Sequence, residues 1–89
     1  MRVSVSTLAG DTLAAFDTPT FDGFGSAPEH FEKIAPAYLA PLSDGAPAVL
    51  VTFAGTDEDG AEFHVCERHE AIAWRDGRAV GTSVRHVNP

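Results

Sequence analysis

Val3 and Val5 alternate with Ser4 and Ser6, which is the period of a strand with one buried face. Ala9-Gly10-Asp11 reads as a turn, and Thr12 to Phe16 as a second strand paired back on the first. A short helix capped by Asp11 is the competing reading of that segment. Residues 17–25 have loop composition. Ser26-Ala27-Pro28-Glu29 is a capping box, in which the Ser26 hydroxyl accepts from the Glu29 amide. Pro28 falls in the first turn, where its missing N–H costs little. Phe31, Ile34, Tyr38 and Leu42 follow at helical spacing as a buried stripe. Pro36 disfavours helical angles at Ala35. The pattern therefore predicts a helix over about 27–35, kinked at Pro36, with a kinked or separate turn to about 40.

Val49, Val51 and Phe53 then alternate with Leu50, Thr52 and Ala54, and Phe63 and Val65 resume the alternation after the acidic turn. A two-residue Asp59-Gly60 loop would set Phe53 opposite Cys66. A three-residue Glu58-Asp59-Gly60 loop with Gly60 left-handed sets it opposite Val65. Burial favours the second, which keeps the apolar set on one face. Arg75-Asp76-Gly77 poses the same choice. A two-residue loop would oppose Arg75 to Arg78, a like-charge pair. The longer loop is preferred and pairs Ile72 with Val80, Trp74 with Arg78 and Glu67 with Arg85. Ala71, Ala73, Ala79 and Gly81 then make a smooth surface on which a helix could lie. Residues 80–87 form the last strand. The sum is an α+β fold: one domain over 1–89, an antiparallel sheet of four to six strands, and one helix packed on one face.

Charge changes this picture. The chain carries 6 basic and 13 acidic side chains, net −7. Residues 1–63 set only Arg2 and Lys33 against ten acids, whereas residues 64–89 are net +1. Phosphate binding draws its affinity from Lys and Arg, so direct nucleic-acid binding and anionic-membrane binding are not expected. A basic protein surface is the partner this charge attracts, and solubility is the simpler use of it. Thirteen acids offset by six bases is a modest density for a full DNA mimic. The excess of alanine, and of arginine over lysine, fits a GC-rich bacterium or its phage. The start lacks the apolar block of a signal peptide, no apolar run spans a bilayer, and the 1 cysteine fits a reducing, cytoplasmic setting.

Candidate chemistry is sparse. His64 and Cys66 are two apart on a strand and face one way; His69 has the opposite parity unless the strand bends; His86 falls opposite Cys66 in the preferred register. Together they form an alternative zinc site without the usual ligand spacing. A Cys66–His nucleophile pair is disfavoured because Glu67 and Glu70 oppose a lowered thiol pKa. Asp57 to Glu62 resembles a calcium loop but places Gly55 and Cys66 where the first and twelfth ligands belong. Asp22-Gly23-Phe24-Gly25 precedes the helix as a phosphate loop might, yet Asp22, Glu29 and Glu32 would repel an anion. No Ser-His-Asp set or acid/base carboxylate pair stands out.

The expectation is thus a non-enzymatic, cofactor-free protein-binding module, such as a bacterial or phage inhibitor that blocks a basic, nucleic-acid-binding protein. Its interface is expected at Phe21, Asp22, Phe24, Glu29, Glu32, Asp57, Glu58 and Asp59, with Phe21 and Phe24 either anchoring the partner or plugging the core. Trp74 is expected in the core or stacked on Arg78. A metal-binding domain using His64, Cys66, His69 and His86 is the first alternative. The second is a self-associating domain, a homodimer joined through an edge strand at 2–8 or 80–87.

Overall fold

The structure, a computed structural model, describes residues 1–18, 28–56 and 59–87, with the side chains of all of these except 28–33. It consists of β1 (Arg2–Ser6), β2 (Thr12–Asp17), α1 (Pro28–Ser43), β3 (Val49–Thr56), β4 (Glu62–Arg75) and β5 (Arg78–Val87). The strands form one antiparallel sheet in the order β2-β1-β3-β4-β5. This is the α+β fold that the hydrophobic pattern implied. The segment 12–16 is a strand, and its turn is closed by Thr7, whose amide donates to the Asp11 carbonyl and whose hydroxyl accepts from the Asp11 amide.

Strand alternation divides the sheet into two faces. Val3, Val5, Val49, Val51 and Phe53 lie under α1 and are almost fully buried, together with Ile34 and Leu42 from the helix. Ser4, Thr52 and Cys66 form a row on the other face. Phe53 pairs with Val65, as the buried apolar set required, and Gly60 is left-handed at φ 82°. Gly55 is needed for a different reason. A Cβ there would sit 3.0 Å from the Phe63 ring, which lies across the bare backbone.

Two expectations are corrected. The helix does not end or separate near residue 35; it runs unbroken from Pro28 to Ser43 with Pro36 and Pro41 inside it. Proline removes one helical hydrogen bond, and Pro36 itself is exposed. Ile34, Tyr38 and Leu42 pack on the core on both sides of Pro36 and hold the helix together across it. The helix stops at Gly45, φ 104°, where the Gly45 amide donates to Leu42 and the Ala46 amide to Pro41. That pair of bonds is a Schellman cap.

The second correction concerns the β4–β5 hairpin. Arg75 does pair with Arg78, across a two-residue Asp76-Gly77 turn with φ 52° and 78°. Two successive positive φ values define the type I′ turn, which matches strand twist and suits Asp-Gly. Both arginines are exposed, so water screens their repulsion and turn geometry decides the register. Trp74 consequently faces Ala79, and Glu67 faces His86, where Arg85 was expected. Irregularities at Ile72 and Val80 offset one another and return the strands to the same register.

The helix end is fastened to β5 by one side chain. The Ser43 hydroxyl donates to the Leu39 carbonyl at 2.8 Å and accepts from the Ala79 amide at 2.9 Å. Ala79 is buried beneath it. Ser43→Ala is expected to cost about 1–3 kcal/mol, because a buried amide loses its acceptor. Urea unfolding measures it; a cost within error of zero would remove Ser43 from the account.

Candidate functional site

The β3–β4 register puts Val65, Glu67 and His69 on the helix face, opposite Phe53, Val51 and Val49. Two polar residues thus enter a row begun by valine. His69 is only 3% exposed. Its Nε2 lies 3.2 Å from Glu67 Oε1 and its Nδ1 lies 2.9 Å from Thr82 Oγ1. A carboxylate only accepts, so Nε2–H donates to Glu67, and in the neutral ring Nδ1 accepts from the Thr82 hydroxyl. Tyr38 covers the imidazole from α1, with ring centroids 4.4 Å apart and a 39° tilt. Glu67 Oε2 is 3.8 Å from the Nε2 of His86 on β5. The cluster ties α1, β4 and β5 together through one histidine. Both ring nitrogens are engaged and the ring is covered, so the arrangement holds structure.

Burial, and secondarily the Glu67 carboxylate, push the Tyr38 hydroxyl above the ordinary phenol value of 10.0. The folded state therefore keeps its proton to higher pH than the unfolded chain does. Stability from this group is full below the unfolded value and is lost as pH rises through it towards the folded one. Unfolding titrations above pH 10 are expected to show a steeper alkaline loss for wild type than for Tyr38→Phe. Equal slopes would contradict the burial argument.

The four residues of the alternative metal site do not converge. His64 and Cys66 lie on the open face, whereas His69 and His86 lie on the helix face. Cys66 pairs with Val87 across β5, not with His86, because the shorter β4–β5 turn moves the register by one residue. The Thr52 hydroxyl lies 3.8 Å from Cys66 Sγ, and the thiol is buried. Among the described residues no group of three or more His, Cys, Asp or Glu side chains is placed to hold a metal ion.

Of the expected interface residues, Asp59 is described and exposed. Glu29 and Glu32 fall in the first half of α1, with side chains outside the description; Phe21, Asp22, Phe24, Asp57 and Glu58 lie outside the described residues. The strands around them locate where these segments start and finish. Arg2 pairs with Asp17 on one side and with Ala54 on the other, and Thr56 pairs with Glu62. The end of β2, the start of β1, the end of β3 and the start of β4 thus share one end of the sheet. The segment leaving Asp17 and the acidic segment joining Thr56 to Glu62 emerge there together. Arg2 meets Asp17 at 3.2 Å, an exposed pair of small energetic weight. Beside it Ala54, Gly55, Thr56, Glu62, Phe63 and His64 line an open hollow.

The opposite end of the β4–β5 hairpin is different. Ile72 is 68% exposed and Trp74 53%, with Val80 exposed nearby and Arg75 and Arg78 at the turn. Trp74 is on the inner strand β4 but exposed near its end and opposite Ala79, so it does not take the expected place in the core. Parity alone puts Glu67 and His69 on one face once Phe53 is set against Val65; their partners on β5 and the exposed hairpin tip depend on the turn. No helix among the described residues is long and apolar enough to cross a membrane. Comparison with protein-family models, curated proteins and solved structures finds no match to this chain.

Proposed function

We propose that this chain is a non-enzymatic binding module whose acidic end engages a basic protein surface. One observation carries the reading: Asp17, Glu62 and the strand ends flanking the Asp57-Glu58-Asp59 connection gather at one end of the sheet, where the segment that carries Asp22 also leaves β2. Dispersed acids would give solubility alone. Gathered acids create a local potential that steers a cationic partner and fixes its orientation. Glu62 at this end offers an exposed carboxylate that an arginine side chain of the partner can pair with. A partner that binds nucleic acid through such a surface would be blocked by occupation of it.

Capture from lysate of the source organism or its host, run in parallel at low and high salt, tests this reading. A discrete partner retained at low salt and released at high salt is expected, since exposed charge pairs are screened. A partner retained equally at both salts would contradict a charge-steered interface.

A further inference from the structure

We propose that the chain also pairs with a second copy of itself along β5, joining two sheets into one. This goes beyond the binding reading and does not depend on it. The notion that β1 could serve as the edge is excluded by the topology, because β1 lies between β2 and β3. The two edges are β2 and β5, and they differ. β2 has 6 residues and an irregular partner at Val5/Ser6, and it ends on Asp17. β5 has 10 residues and carries no acid, only Arg78, Arg85 and His86.

A chain of net −7 repels its own copies. Of the two edges, β5 carries no acid whereas β2 ends on Asp17, so β5 adds least to that repulsion. Pairing β5 with β2 of another copy would be head-to-tail and would not close.

Among the described residues the edge is open over part of its length. Ala79 is closed off by Ser43, and Val80 sits in an irregularity of the ladder, both of which hinder pairing. From Thr82 to Val87 the ladder against β4 is regular, so the outer groups of this stretch are evenly presented. Val84 lies in the middle of it and is 49% exposed.

Symmetry then limits the register. Two antiparallel edge strands in one sheet are related by a two-fold axis normal to the sheet, which keeps α1 of both copies on the same side. Facing residues must therefore share parity. A centre at Arg85 would set arginine against arginine. A centre at Val84 sets Val84 against its own copy, Ser83 against Arg85 and Thr82 against His86. It buries the exposed valine, avoids every Arg–Arg opposition and uses only residues clear of Ala79 and Val80.

Light scattering on the full chain, from micromolar to submillimolar concentration, tests the proposal. The expected result is a concentration-dependent rise to twice the 9.4 kDa chain mass, with no further growth. Val84→Arg is expected to abolish that rise while circular dichroism remains unchanged, and Leu13→Arg on β2 is expected to preserve it. Val84→Cys, placed on the axis, is expected to cross-link to its copy under mild oxidation, whereas Leu13→Cys is not. Four results would each overturn the proposal. They are a wild-type mass that stays monomeric, assemblies that keep growing, a dimer that survives Val84→Arg, and Val84→Cys chains that fail to cross-link.

Discussion

Replacing His69 by alanine is expected to destabilise the fold by about 3–4 kcal/mol, since removing one member of a buried polar pair strands the other. Glu67 would keep its position beneath α1 without its main donor, the Thr82 hydroxyl would lose its acceptor, and Tyr38 would lose the ring beneath it. A domain of this size has on the order of 4–13 kcal/mol in total, so the loss is a large share. The conservative change Glu67→Gln, which retains an acceptor for Nε2, is expected to cost only about 1 kcal/mol. Replacing His69 and Glu67 together by leucine is expected to recover most of the loss, because an apolar pair carries no desolvation cost. Urea unfolding of the three variants decides the point. If His69→Ala and the double variant were equally unstable, the cost would lie in packing and the cluster would not be a polar clamp.

Phe53→Ala is expected to be the most damaging core change, at about 3–5 kcal/mol. Phe53 is the largest of the fully buried side chains and lies between Val3 on β1 and Val65 on β4, in contact with both halves of the sheet. Its removal leaves a cavity that rigid strand neighbours cannot close. Ile34→Val, which removes a single methylene from the helix side, is expected to cost about 1 kcal/mol. Thermal unfolding that ranked the two equally would contradict a core centred on β3.

Most of the fold was readable because burial writes itself into strands with period two. Val3 and Val5, then Val49, Val51 and Phe53, identified their face and set the β3–β4 register through Val65. The helix stripe was equally plain at Ile34, Tyr38 and Leu42. The helix end is not legible locally, because proline preference points to a break while tertiary contacts on both sides of Pro36 hold α1 together. The register of the second hairpin is hidden by the Arg75–Arg78 repulsion, which favours a longer loop and which the Asp-Gly turn overrides. Exposed charges in water repel weakly, whereas turn geometry is strict.

That single register step had chemical consequences. It moved His86 from Cys66 to Glu67, onto the face that His69 already occupied by parity, and so away from His64 and Cys66. It also assembled a cluster that the chain order hides, since Tyr38, Glu67, His69, Thr82 and His86 come from three elements. The acidic end was legible only as composition. Its grouping follows from strand order, which no local pattern in the chain encodes.

Capture by the wild-type chain, set beside capture by a chain carrying Asp22→Lys, Asp57→Lys and Asp59→Lys, tests the binding reading most directly. The account predicts that a partner held by wild type at low salt is lost by the charge-reversed chain, with both chains equally folded. Equal capture by the two chains, or no partner captured by either, would contradict it.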